Sequence, residues 1–312
     1  PYDVLEKLAY NALPAAFSPD MNQHQYDEQV NQIRATKEKH HWYNNADDSN
    51  VFGFAPNFGC CTANYHQGWP KFVSHLWMAT KDGGLSAVSY APCTVRAMLG
   101  GVPGRITVSG GYPFAETVEI TVAVKQPVEF PLYLRVPGWA RQPMVYLPDG
   151  EIMQVRAGET TCVRRKWRTG DVVRLELPAA PRLTRWYHQS GAVEIGPLLM
   201  AFHPEEHWTT LENGDRAIDT DTPWNWALLR DEPMKAVYGE ERERAFGYGD
   251  PGVKVLVKAV RTEWDMEGGS AANVPMAPRP ASEPEVIELV PFGDTCLRIG
   301  QFPVCVPTGG EG

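Results

Sequence analysis

The spacing of apolar residues changes character three times along the chain. Over residues 1–18, Val4, Leu5, Leu8, Ala12 and then Ala15 or Ala16 recur at helical intervals. They predict a helix that Pro14 and Ser18-Pro19-Asp20 kink or end. A helix this short needs packing partners, which fits the last helices of a helical barrel. From 21 to 58 the periodicity fades, and polar and aromatic side chains crowd together from Gln23 to Tyr43. Long connections with little regular structure are often functional. Tyr65, Trp69, Phe72, Val73, Leu76 and Trp77 then form a second helical face, with Thr62 or Asn64 as its cap and Pro70 placing the regular part near Trp69.

After Lys81-Asp82-Gly83-Gly84 the period falls to two. Short β-branched runs at 85–91, 105–109, 117–124, 128–136, 144–147, 160–167 and 172–177 are separated by Gly, Pro or Asp-Gly. They predict an antiparallel sandwich. Asp149-Gly150 is the strongest hairpin signal, because both residues tolerate the positive φ of a tight turn. Strands continue through 192–202 and close with 253–260, 286–290 and 295–302; Gly268-Gly269-Ser270 and the Pro-rich 274–284 read as a surface loop, and Glu240-Glu241-Arg242-Glu243-Arg244 as a solvated charged face. The expected fold class is α + β multidomain, with the final helices of an α/α barrel followed by antiparallel β-sandwich domains. The segments are 1–80 (helical), 81–180 (first sandwich) and 181–312 (second sandwich with long loops).

Composition narrows the function. At 312 residues and 43% hydrophobic the chain has enough apolar material for real cores, and a net charge of −9 argues against nucleic-acid or anionic-membrane partners. No run is long enough to cross a bilayer and no secretory signal is visible at Pro1, so cytoplasmic and periplasmic locations both stay open. Six cysteines in this length are not a disulfide scaffold. Cys93, Cys162, Cys296 and Cys305 lie in strand-like surroundings that suit buried thiols.

Cys60-Cys61 is different. Adjacent cysteines cannot close an ordinary disulfide with each other without strain, so metal ligation or catalysis competes with a plain structural role. The polar and aromatic residues before them suit a sugar, whose apolar faces rest on rings while amides bond its hydroxyls. His24, Gln25, Tyr26, Asn31 and Trp42 are the binding candidates, joined by His66 and Gln67 beside the cysteines. His40-His41 and Asp47-Asp48 lack a recognised ligand spacing. Trp208, Trp224 and Trp226 admit two readings, packing or a sugar platform.

Gly59-Cys60-Cys61 and the helix after it, together with the run from Tyr2 to Asn11, resemble glycoside hydrolase family 127, the β-L-arabinofuranosidase-like enzymes. Arg135-Val136-Pro137-Gly138-Trp139-Ala140, Trp167-Arg168-Thr169-Gly170-Asp171 and Ser190 to Leu198 extend the resemblance in order. The resemblance implies a retaining glycosidase in which zinc is held by a glutamate and three cysteines and a zinc-bound thiolate replaces the usual nucleophilic carboxylate. By motif, Cys60 is the nucleophile and a metal-bound sulfur, and Cys61 a zinc ligand. In the family the remaining ligands and the acid/base glutamate precede the helix that Tyr2 to Asn11 resembles. The sequence is therefore expected to be the C-terminal portion of a longer protein, the missing N-terminal half being its partner in the site, and the acid/base is assigned to no residue here. The substrate expected is a terminal β-L-arabinofuranoside or related plant-type glycan. The alternatives are a noncatalytic carbohydrate-binding sandwich and a structural zinc or thiol site.

Overall fold

The computed structural model describes residues 2–40, 45–240, 242, 246–247 and 249–306. They are mainly β, and they form two compact units that interleave in sequence: 1–8 with 67–180, and 9–66 with 181–312. The three segments expected from periodicity are thus redistributed, with 9–66 joining the C-terminal strands.

The first unit holds two sheets. Thr160–Trp167, Val128–Arg135, Leu85–Ala87 and Trp77–Ala79 form one in that order; Cys93–Leu99, Val102–Ser109, Thr117–Val124, Val172–Glu176, Met144–Tyr146 and Ile152–Gln154 form the other. Alternation does the sorting: Val118, Ile120 and Val122 are buried while Glu119 between them is exposed. Phe130, Leu132 and Leu134 line the buried side of the facing strands, and the Trp167 indole donates to the Phe130 carbonyl at 2.8 Å. Leu85–Ala87 runs parallel to Val128–Arg135, a departure from the all-antiparallel expectation, and Cys93–Leu99 is a strand that the runs above did not include. The Asp149-Gly150 hairpin is present: Tyr146 pairs Ile152 and Gly150 has φ +87°.

Also in this unit, Glu6 is fully buried, ion-paired to Arg135 and bonded by the Ser89 hydroxyl at 2.6 Å. The helix therefore buries this acid, whereas Val4 and Leu8, expected on its inner face, are 61% and 58% exposed. Tyr2–Lys7 is α-helical but Leu8–Ala12 is a π-helical turn, whose wider winding shifts the phase of every later position.

In the second unit one large sheet orders Arg182–Arg185, Gly191–Ile195, Leu198–Ala201, Glu285–Pro291, Val253–Arg261, Trp226–Leu229 and Val304–Cys305. It curls back on itself, because Gly191 and Phe302 exchange both backbone hydrogen bonds at 2.7 and 2.8 Å. Segment 9–66 is stitched to this unit. Asn31–Gln32 pairs with Arg298–Ile299, Ala35 bridges Ile218, and Phe52 bridges Arg216. The aperiodic stretch is thus ordered by tertiary pairing rather than by local propensity. Buried Asn11 reinforces it, donating to the Pro197 carbonyl and accepting from the Leu199 amide.

Trp226 is buried and covered by the Arg261 guanidinium; Trp208 packs on Phe52 under Arg216, and Trp224 lies edge-on to Trp264. The covered rings of Trp208 and Trp226 are packing elements, not sugar platforms. The charged face expected at 240–244 is corrected at Arg242, which is buried in a bidentate pair with Asp294 at 2.5 and 2.9 Å; Glu241, Glu243 and Arg244 lie outside the described residues. Cys296 and Cys305 are buried as expected, and Cys162 is exposed. Among the described residues no helix is long and apolar enough to cross a membrane.

Candidate functional site

The two cysteines open a five-residue helix, Cys60–Asn64, whose N-cap is Gly59 with no side-chain cap. The regular winding therefore begins at the cysteines and not near Trp69, where Trp69–Ser74 forms a separate helix. Thr62 is no cap. Its hydroxyl lies 2.8 Å from the Phe54 carbonyl and 2.9 Å from His24 Nε2, so it ties the cysteine turn to two loops. Tyr65 secures the other end, with its ring edge-on to Phe17 at 4.2 Å and its hydroxyl bonded to the Leu13 carbonyl.

His24 is buried, and Nδ1 lies 2.9 Å from the Gln25 carbonyl. A carbonyl only accepts, so Nδ1–H donates to it, while the Thr62 hydroxyl has one proton facing both the Phe54 carbonyl and Nε2. Gln25 and Asn31, expected to face a sugar, are instead engaged internally. Gln25 bonds Gln32 and the Asn50 carbonyl; Asn31 accepts from the Gly300 and Gln301 amides and donates to the Gln301 carbonyl. Asn50 donates to Gln32 and to the Asp27 carbonyl, which closes a buried amide network beneath the 24–27 loop. That network was not legible in the sequence, where Gln32 and Asn50 are two polar residues among many.

The network leaves Tyr26 at the cysteines. Its hydroxyl is 4.0 Å from Cys60 Sγ, and the two sulfurs are 3.9 Å apart. Hydrogen bonding to Cys60 and that sulfur's charge push the Tyr26 hydroxyl above its ordinary range. Partial burial, Cys60 and the Asp27 carboxylate push the Cys61 thiol up. Negative charge is therefore disfavoured here unless a cation joins it. His66 is exposed at the far end of the turn, and in the first unit Gln67 is exposed and bonded by Lys71. Trp42 lies outside the described residues. The structure thus brings His24, Tyr26, Cys60 and Cys61 together with Asp27, and with Thr62, which was expected only as a cap.

Two thiolates on a tetrahedral zinc with bonds of about 2.3 Å stand roughly 3.8 Å apart, so the pair has the spacing of two such ligands. It offers two donors of four: among the described residues no three His, Cys, Asp or Glu side chains converge to hold a metal. His40 Nδ1 bonds the Gly268 carbonyl at 2.8 Å.

Residues 84–179 match the profile described as the GH127 middle domain of β-L-arabinofuranosidase. A GH127 β-L-arabinofuranosidase from Geobacillus stearothermophilus T6 superposes on 97% of the chain with a TM-score of 0.66 and 21% identity. A GH127 β-arabinofuranosidase gives 0.71 at 16% identity, and a further glycoside hydrolase 0.65 at 17%, each again over 97% of the chain. The chain spans 46%, 45% and 48% of those structures respectively, about half their length. No curated protein matches the chain. Residues 84–179 thus carry the profile of the GH127 middle domain, and the chain shares the fold of those solved structures over about half their length.

Proposed function

We propose that the chain contributes the nucleophilic part of a retaining glycoside hydrolase acting on terminal β-L-arabinofuranosides or related plant-type glycans. The observation that carries this is the cysteine pair at 3.9 Å, held from both ends in a GH127-like fold. The acid/base and the remaining metal ligands are assigned to no residue of this chain. The proposal places them in the part of the GH127 structures that this chain does not span, together with the rest of an α/α barrel.

Cys60 Sγ attacks the anomeric carbon as the glycosidic oxygen leaves with a proton from the acid. Water, deprotonated by the same group, then displaces the sulfur and releases the sugar with retained configuration. Cys61 and Cys60 would hold zinc, which when bound keeps the sulfurs deprotonated at neutral pH. Tyr26 steers the Cys60 sulfur, and the His24–Thr62 bond fixes the turn. The test is hydrolysis of p-nitrophenyl β-L-arabinofuranoside, with the product anomer followed by NMR and the quenched protein by peptide mass spectrometry. The proposal expects retention and a pentosyl mass on the Cys60 peptide. Inversion, or full turnover by Cys60→Ser, contradicts it.

A further inference from the structure

The curled sheet of the second unit encloses a cavity of about 460 Å³ that shares no residue with the cysteine turn. Its floor is aliphatic, from Leu228, Val257 and Val304. Gly191 lies on the wall, where a Cβ would stand 2.7 Å from Val304 Cγ2 and 2.8 Å from Leu183 Cδ1 and so press on two lining side chains. At the rim Lys258 is neutralised by Glu232 at 2.9 Å. Arg185, Arg230 and Asp231 also line the cavity, and among the described residues none of the three side chains has a hydrogen-bond or ion-pair partner, which leaves one net positive charge.

The rim is also prearranged. The Arg230 amide is bonded to the Cys305 carbonyl at 2.8 Å, and Asp231 follows in the left-handed region at φ +65°, a conformation uncommon outside glycine. Arg185 ends the strand that pairs with Gly191.

We propose that this cavity binds a small carboxylate carrying an apolar face. The volume falls in the range of small-ligand sites, and such sites join an apolar wall to a few fixed polar groups. A guanidinium presents a planar fork matched to a carboxylate and is less strongly hydrated than an ammonium, so it suits a partly enclosed rim. The aliphatic floor favours a ligand with a non-polar surface over a bare hydrated anion. A uronic acid and a short fatty acid share this chemistry.

The experiment is calorimetric titration of the 312-residue protein with D-glucuronate and with hexanoate, beside methyl glucoside and hexanol as neutral counterparts. Methyl NMR of Val257 and Val304 locates the ligand. The expected result is saturable binding of at least one carboxylate, with shifts at both valines and affinity reduced about ten-fold in Arg185→Ala and in Arg230→Ala. Which carboxylate saturates identifies the source. Absent saturation, equal affinity for the neutral counterpart, unchanged affinity in the Arg185→Ala/Arg230→Ala double variant, or unmoved valine methyls would each overturn the proposal. The valine readout uses the unsubstituted protein, so it holds even if an arginine variant unfolds.

Discussion

His24 Nε2 lies 2.9 Å from Thr62 Oγ1, joining a buried histidine of the aperiodic segment to the helical turn that carries both cysteines. The bond explains how a five-residue helix, too short to persist alone, keeps the sulfurs in place.

Thr62→Val removes the hydroxyl while keeping the shape, and leaves His24 Nε2 and the Phe54 carbonyl without their partner. Urea unfolding should show a loss of about 1–3 kcal/mol, with Thr62→Ser restoring most of it. Equal stability of the valine and serine variants would mean that the hydrogen bond contributes nothing.

Arg135 is a second anchor. It is buried between Asp3, at 2.6 Å, and Glu6, which has no exposed surface. Removing one partner of such a pair strands the other charge, so Arg135→Met should cost about 3–5 kcal/mol. The double variant Arg135→Met/Glu6→Leu should recover much of that. Thermal unfolding of the three proteins measures it; a double variant no better than the single one would refute the pairing argument.

Acid stability depends on Asp20. Burial works to raise its pKa, but hydrogen bonds from Ser18, the Asn22 amide and Arg216, with the Arg216 charge, bring it down to about 2 from 3.8. A depressed carboxylate stabilises the fold above its unfolded value, and that contribution disappears as pH falls from about 4 to about 2. Solvent screening at this partly exposed group limits the effect to about 1 kcal/mol. Asp20→Asn should therefore be less stable at pH 6 and nearly equal to the parent at pH 2. A constant difference across that window would contradict the assignment.

The hairpin residue Gly150 sits at φ +87°, and an added Cβ would touch nothing within 4 Å. Gly150→Ala should cost about 1–2 kcal/mol from backbone strain alone, and Gly150→Asn less. Chemical unfolding of both variants decides this, and an alanine variant as stable as the parent would remove the strain argument.

These contrasts show what the sequence carried. Strands 117–124 and 160–167 were legible to the residue because each alternates across one buried face, and the Asp149-Gly150 turn because its backbone angles demand those residues. The face expected for the first helix fails at Val4, Leu5 and Leu8, which are exposed, and holds at Ala15, which is buried. Its buried positions include Glu6 and Asn11, and a polar residue is recognisable as core only once its partners, here Arg135 and the Pro197 carbonyl, are known. At the site, the adjacent cysteines were visible as unusual chemistry, and Tyr26 was selected with them. Gln25 and Asn31 were selected on the same composition but support the loop from beneath, since composition does not say which way an amide points.

The most direct test of the central claim is a cadmium titration of the reduced chain, followed by thiolate-to-metal charge-transfer absorption. If Cys60 and Cys61 form a two-sulfur metal site, absorbance should rise to saturation near one equivalent. It should fall sharply in Cys60→Ser and in Cys61→Ser, and persist in Cys162→Ser. Absorbance that never saturates, or that follows Cys162 instead of the adjacent pair, would contradict the account.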